Sequence, residues 1–356
     1  MTKRLMVVAG GTGGHIFPGI AVANELKSQG WEVSWVGTAD RMEAQVVPKH
    51  GFEIDFINVQ GVRGNGIKRL LKAPFMVLKA ILAARSVIKY RRPNVVLAMG
   101  GYVTGPVGVA AKLTGIPLVI HEQNAVAGLS NKLLANIANK VLAAFPSAFA
   151  SNEVQVVGNP VRHSVATLTP KKVAKQLNCL VVGGSLGAKV LNDILPAAFA
   201  KLSQTASLPI AIRHQSGKGH KAELIDCYKS AGVAASVFEF IDDMDSAYDW
   251  ADIVICRAGA LTVSEIAAAG KMALFVPYPH AVDDHQTANA GYLVNNDAAL
   301  LLPQSQFNEQ TLCELLFPYV HQPEMIEQLA IRAKQQAKLD ATSCVAKVCE
   351  QLSSPI

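Results

Sequence analysis

Leu5-Met6-Val7-Val8-Ala9 runs without a break into Gly10-Gly11-Thr12-Gly13-Gly14-His15, and Ile16-Phe17-Pro18-Gly19-Ile20-Ala21-Val22-Ala23-Asn24-Glu25-Leu26 follows. An apolar run that stops at glycines reads as a strand buried on both faces of a parallel sheet. The stretch from Ile16 reads as a helix, closed by Gly30. Glycines in the turn between them leave backbone N–H groups uncovered at a helix N-terminus, where a phosphate or a sugar can approach. The same opening returns in Cys179-Leu180-Val181-Val182-Gly183-Gly184-Ser185-Leu186-Gly187-Ala188. Two strand–glycine–helix openings half a chain apart predict an α/β protein of two similar lobes facing a cleft.

The 356 residues, half of them hydrophobic and 17% charged, suit two domains with sizeable cores rather than a disordered chain. Six cysteines form no CxxC pair and do not cluster with histidine, which reads as reduced thiols in a cytoplasmic protein. The apolar run after Lys3-Arg4 is too short for a signal peptide, and nothing approaches a membrane span. Net charge is +6 but uneven: residues 1–160 hold 17 Lys and Arg against 8 Asp and Glu, residues 161–356 hold 16 against 19. From Phe56 to His121 there are ten basic residues and no acid. The first half therefore points to an anionic partner: nucleic acid, anionic lipid or a diphosphate.

Glu32–Gly37 reads as the second strand, and Asp40 stands where a dinucleotide fold would place its ribose-binding acid. The glycines do not fit that fold, because Ile16 takes the third position of GxGxxG and Val182 the first position in the second turn. Between Ile67 and Arg92, Ile67, Leu70, Leu71, Leu78, Ile81 and Leu82 share one helical stripe, with Lys68, Lys72, Lys79 and Phe75 opposite. Pro74 is expected to start a fresh helix. Either this is a plain amphipathic helix, or lysines around an exposed phenylalanine make a membrane-surface patch. Strands at Asn94–Met99 and Pro117–Ile120 run into Gly100-Gly101-Tyr102 and His121-Glu122-Gln123-Asn124. Ligands of parallel sheets bind at such carboxyl ends, so His15, Gly100–Tyr102 and Glu122–Asn124 should gather there. Val141–Phe145 and Val154–Val157 finish the first lobe, and Gly158-Asn159-Pro160-Val161-Arg162 reads as the hinge. In the second lobe Ile210–His214, Val237–Ile241, Ile253–Cys256 and Ala273–Val276 read as strands. Arg257–Glu265 turns from strand into an Ala-rich helix whose free N–H groups suit a diphosphate, with Glu265 one turn inside beside sugar hydroxyls. Asp243-Met244-Asp245 could hold a divalent ion, but it opens a helical stretch and reads better as capping acids.

Taken together, Gly10–Pro18, Met99–Pro106, His121–Gly128, Gly158–Arg162, Gly183–Ala188, Phe240–Met244, Cys256–Gly270 and Pro277–Gln286 resemble the MurG type of bacterial N-acetylglucosaminyltransferase along nearly the whole chain. The resemblance implies the GT-B architecture, two Rossmann-like lobes with parallel sheets and a cleft between them. It implies an acceptor and membrane-facing lobe over residues 1–160, a donor lobe over 161–339, and a last helix near 340–356 that packs back on the first. It implies inverting transfer of N-acetylglucosamine from its UDP donor to the muramoyl-pentapeptide on undecaprenyl diphosphate, at the cytoplasmic face of the inner membrane, with no cofactor. Matched by position, Arg162, Ser185, Ile241, Ala260, Leu261, Thr262, Val263, Ser264, Glu265 and Gln286 meet the donor. Glu265 takes the ribose hydroxyls, Ile241 the uracil edge, Gln286 the sugar, while Thr12, Gly13, Gly14 and Asn124 add contacts from the first lobe. This chain carries Leu186 where the family usually has glutamine.

A single inverting displacement needs a base for the acceptor hydroxyl. His15, at the end of the first glycine turn, is the first candidate and Glu122 the second; His121 reads as a satisfied strand-end histidine. No metal site is expected. The rival enzyme of like architecture is a UDP-N-acetylglucosamine 2-epimerase. The rival without catalysis is an anionic-membrane or nucleic-acid binding module, and the absence of interleaved basic and aromatic residues speaks against nucleic acid.

Overall fold

The computed structural model describes residues 2–59, 67–151, 153–184 and 186–353. The chain divides into two compact units, residues 1–162 with 338–356, and residues 163–337. In the first lie β1 (Arg4–Ala9), α1 (Gly13–Ser28), β2 (Glu32–Gly37), α2 (Glu43–Lys49), β3 (Glu53–Phe56), α3 (Ile67–Arg91), β4 (Val95–Gly100), α4 (Thr104–Leu113), β5 (Leu118–Glu122), α5 (Leu129–Leu134), β6 (Lys140–Ala143) and β7 (Gln155–Val156). The second holds α6 (His163–Ala166), β8 (Leu177–Val182), α7 (Lys189–Thr205), β9 (Ile210–Gln215), α8 (Lys221–Ser230), β10 (Ser236–Phe238), α9 (Met244–Trp250), β11 (Ile253–Cys256), α10 (Ala260–Ala269), β12 (Met272–Phe275), α11 (His285–Val294), β13 (Leu300–Leu301), α12 (Glu309–His321) and α13 (Glu324–Gln335). The last helix, α14 (Ala341–Ser353), returns to the first unit.

Both sheets are parallel throughout the described pairs, in the orders β3-β2-β1-β4-β5-β6-β7 and β10-β9-β8-β11-β12-β13. In each, the first strand of the unit is central and the order reverses beside it, the doubly wound pattern that opens a ligand crevice at the carboxyl ends. The alternation of β1 is visible in the cores. Leu5, Val7 and Ala9 join α1 and the Val345–Cys349 face of α14 on one side, while Met6 and Val8 join α4 on the other. None of the six cysteines is paired.

Four local expectations are corrected. The helix α1 starts at Gly13, not at Ile16, so His15 is its third residue rather than the end of a turn. β3 and β13 were not expected; both are short edge strands, where alternation is weak and one side of the ladder is open. Pro74 lies inside a continuous α3, on an exposed stretch where water can serve the carbonyl that the missing N–H leaves. The inward line of α3 is Ala80, Ala84 and Ile88, while Leu78 and Leu82 are about half exposed. Small residues let α3 lie close on α4, and Leu78 and Leu82 turn outward, against the stripe read from hydropathy, while Ile81 of that stripe does pack on the core; the side chains of Ile67, Lys68, Leu70, Leu71 and Lys72 lie outside what the structure describes.

Candidate active site

In the first unit, Thr12, Gly13, Gly14 and His15 open α1 at the carboxyl end of β1. Thr12 takes the N-cap position with extended backbone and no side-chain cap, leaving the first N–H groups of α1 without an intrahelical partner. A register shift between β1 and β4 sets Ala9 against Gly100, and the imidazole of His15 lies on Gly100. A β-carbon at Gly100 would stand 2.6 Å from the His15 Nδ1, and its φ of 125° is one that side chains avoid. The ring is partly exposed, and its Nδ1 is 2.7 Å from Gln123 Oε1. Gln123 Nε2 lies 3.0 Å from His121 Nδ1 and donates to the His121 carbonyl at 3.0 Å; His121 Nε2 reaches the Gly158 carbonyl at 2.9 Å. His121 is fully buried, and burial pushes its imidazole down to about 4, so it is neutral at ordinary pH.

Glu122 does not fit the role of a base. It is 1% exposed, and its two oxygens accept from the Asn124 backbone and side chain, the Gly128 N–H and the Asn131 amide, at 2.9 to 3.2 Å. Those four donors hold the carboxylate as the bracket of the loop after β5, and Asn124 is placed by it. Ser185 lies outside the described residues.

Glu43, which nothing in the sequence had marked, is wholly buried at the start of α2 and accepts from Gly11 N–H, Thr38 N–H and Thr38 Oγ1 at 3.0, 3.0 and 2.7 Å. The first glycine turn is therefore not bare: one amide is taken up by an internal acid. Asp40 is exposed instead, so the acid after β2 turns inward against the glycines, where a dinucleotide ribose would not find it.

In the second unit, Ile241, Ala260–Glu265 and Gln286 lie beyond the carboxyl ends of β10, β11 and β12. α10 has Gly259 as its N-cap, no side-chain cap and no acid in its first turn, so its terminal N–H groups are open to an anion. Ala260 and Val263 are buried, Leu261, Thr262 and Ser264 half-buried, and Ser264 Oγ turns back to the Ala260 carbonyl. Glu265 is largely buried and accepts from the Tyr248 hydroxyl at 3.1 Å, which sets the orientation of its carboxylate. Gln286 Oε1 accepts from Tyr278 N–H. Gln215, the last residue of β9, donates to the Gly184 carbonyl at 2.8 Å and accepts from Ile241 N–H at 2.9 Å, so one side chain ties the second glycine turn to the Ile241 loop. Gln123 was expected at this edge only as part of Glu122–Asn124, with no role of its own, and Gln215 was not singled out from the sequence; the signal for both was a polar residue at a strand end.

Arg162 falls within the first unit. Asp243 is the N-cap of α9, accepting from Ser246 N–H and Oγ at 3.0 and 2.6 Å, as a capping acid should. A cavity of about 650 Å³, lined by Lys171, Arg213, Asp249 and Trp250, opens near the starts of β8 and β11, at the other edge of the sheet from these groups.

Comparison with known proteins matches residues 5–143 to the glycosyltransferase family 28 N-terminal domain and residues 178–345 to the family 28 C-terminal domain. A Pseudoalteromonas translucida protein named UDP-N-acetylglucosamine--N-acetylmuramyl-(pentapeptide) pyrophosphoryl-undecaprenol N-acetylglucosamine transferase is 66% identical, over 99% of both chains. The protein of the same name from Aeromonas hydrophila is 56% identical over 99% of this chain and 98% of its own. The crystal structure of Acinetobacter baumannii MurG is 40% identical with a TM-score of 0.83, covering 98% of this chain and 99% of its own, which gives this chain the GT-B fold. A UDP-GlcNAc 2-epimerase from Neisseria meningitidis superposes at a TM-score of 0.69 over 98% of this chain and 100% of its own, at only 14% identity, a likeness of fold alone.

Proposed function

The chain belongs to glycosyltransferase family 28, in its MurG type, and on that premise we propose how its residues divide the reaction. It transfers N-acetylglucosamine from UDP-N-acetylglucosamine to the muramoyl-pentapeptide carried on undecaprenyl diphosphate, completing the second lipid-linked precursor of peptidoglycan. In an inverting displacement the acceptor oxygen bonds to the anomeric carbon as the bond to the UDP oxygen breaks, and UDP leaves with that electron pair.

His15 is the base that takes the acceptor proton. The observation that supports this is the ring's seat on Gly100, with Nδ1 held by Gln123, in a residue that is partly exposed at the carboxyl end of β1. Thr12, Gly13 and Gly14 supply uncovered amides at the start of α1 for the acceptor diphosphate, and Asn124 holds a sugar from the loop that Glu122 brackets. In the second unit the N-terminus of α10 meets the UDP phosphates. Such a terminus contributes about 0.3–1 kcal/mol when exposed and up to about 2 kcal/mol when partly buried. Glu265, oriented by Tyr248, accepts from the ribose hydroxyls. With the Ile241 N–H engaged by Gln215, the Ile241 carbonyl is the group that meets the uracil edge. Gln286 has its oxygen on Tyr278 N–H, so its amide N–H₂ faces the transferred sugar; Arg162 and Ser185 complete the donor contacts.

The protein works at the cytoplasmic face of the inner membrane, seated by α3. Phe75 is 75% exposed, and Leu78 and Leu82 share its face at spacings of three and seven, with Lys79 beside them. No helix among the described residues is long and apolar enough to cross a membrane. An apolar helical face edged by lysine binds an anionic surface in plane instead. Radiolabelled sugar transfer from the UDP donor to a short-chain lipid acceptor tests the activity; epimerised donor without acceptor product would favour the rival. Phe75→Ser with Leu78→Ser and Leu82→Ser should release the protein from anionic vesicles with donor binding unchanged, and retained vesicle binding would move the membrane contact elsewhere.

A further inference from the structure

We infer that Gln123 and His121 are positioning residues that lock His15 in its Nδ1–H tautomer, so that the Nε2 lone pair is the one presented to the acceptor. The inference rests on His15 being the base, and it follows from two acceptors that cannot change character. A backbone carbonyl only accepts. The Gly158 carbonyl, 2.9 Å from His121 Nε2, therefore requires a proton on Nε2. The His121 carbonyl, 3.0 Å from one end of the Gln123 amide, requires that end to be the N–H₂ group. This settles the amide orientation. The second hydrogen of the same nitrogen points to His121 Nδ1 at 3.0 Å, which accepts because the neutral ring carries its one proton on Nε2. The other end of the amide is then an oxygen, and at 2.7 Å from it His15 Nδ1 must be the donor.

Each link is held by its surroundings. His121 and Gln123 are 0% and 1% exposed, so water does not compete for these bonds. Burial keeps His121 neutral, with its pKa at about 4, and a neutral ring is what the chain of donors needs. The far end is fixed by shape: Gly158 has φ of 87°, and a β-carbon there would stand 2.2 Å from the β-carbon of Lys338, just before α14. Among the described residues Gln123 is the sole hydrogen-bond partner of the His15 ring. In water a free imidazole favours the opposite tautomer, with its proton on Nε2, which would turn an N–H and not a lone pair toward the acceptor. A neutral glutamine fixes the tautomer without adding charge, unlike a carboxylate partner that would also stabilise the protonated ring.

The test is a long-range proton–nitrogen correlation spectrum of the full chain, labelled with ¹⁵N-histidine, at about pH 8, above the ordinary histidine range. His15, assigned by its loss in His15→Ala, should show a protonated Nδ1 and an unprotonated Nε2; the reverse pattern overturns the inference with no variant needed. In Gln123→Leu the Nδ1–H form should give way, with kcat down about tenfold or more and the donor KM within about twofold. An unchanged tautomer in that variant, or an unchanged kcat when His15→Ala itself loses turnover, counts against the lock. The two readings fail separately. If His15→Ala keeps full turnover while the wild-type spectrum shows Nδ1–H, the base is elsewhere and the lock stands. If His15→Ala is inactive while the spectrum shows Nε2–H, the lock is wrong and another group orients the ring.

Discussion

The two glycine turns open alike and are braced in opposite senses. In the first unit the neighbouring connection sends in a carboxylate: Glu43, just beyond β2, takes the Gly11 N–H. In the second unit the neighbouring strand sends in an amide: Gln215, at the end of β9, donates to the Gly184 carbonyl. The two bracing residues come from corresponding places, since β2 flanks β1 as β9 flanks β8. A buried acid occupies a turn amide and lends negative charge; a buried amide occupies a turn carbonyl and leaves the charge unchanged. The first turn is thus fitted to hold a helix start and its histidine in place, and the second to leave its surroundings hospitable to an anion.

The largest break in this comparison is His15→Ala. A positioned general base contributes about 10²–10⁴-fold, so kcat should fall by that order while the affinity for the UDP donor, measured by calorimetry, stays within about twofold. Equal losses in kcat and donor affinity would mean that the first turn works by binding and not by proton transfer.

Exchanging the two braces comes next. Glu43→Gln replaces one of the two accepting oxygens by an N–H₂ group, so either the Gly11 N–H or the Thr38 donors lose their acceptor, and leaving a buried donor unmet costs about 1–3 kcal/mol, visible as an earlier denaturation midpoint. Gln215→Glu sets a carboxylate oxygen against the Gly184 carbonyl and puts charge on the side proposed for the UDP donor. The donor KM should rise about tenfold, equivalent to about 1.4 kcal/mol, and the rise should shrink as salt is added. If Glu43→Gln weakens the donor as much as Gln215→Glu does, the division of labour between the turns is lost.

Nearly all of the sheet was legible in the chain, because central parallel strands such as β1 and β4 are uninterrupted apolar runs ended by glycine. Two of the four edge strands, β3 and β13, were not: Glu53–Phe56 alternates polar and apolar residues over only four positions, too few to register as a period, and β13 has only two residues. The outward face of α3 was misread because hydropathy ranks leucine above alanine, whereas close helix packing selects the smaller residue, as at Ala80 and Ala84. At the site, the sequence placed residues such as His15, Asn124 and Ala260 on glycine turns and strand ends, and the fold puts them there. The braces could not be read that way, since Glu43 and Gln215 act across a strand gap that only the fold closes. Glu122 misled for a related reason: a lone acid at a strand end looks reactive until its donors, Gly128 and Asn131, are folded round it.

The smallest effect sharpens the comparison most. Leu186 is 84% exposed in the second turn, at the position where the sequence resemblance leads us to expect glutamine. The turn does not need that side chain for its shape: Gly187 N–H bonds the Gly184 carbonyl at 3.0 Å, and Gln215 holds the same carbonyl from the other side. Leu186→Gln therefore adds a donor without moving the backbone. A neutral hydrogen bond to a ligand is worth about 0.5–1.5 kcal/mol net, so the donor KM should fall by about threefold. On the proposal that the second unit's turn acts on the sugar donor and not on the acceptor proton, kcat at saturating donor should not change. A shift in kcat with an unaltered KM would place this turn in the chemical step and erase the distinction between the two.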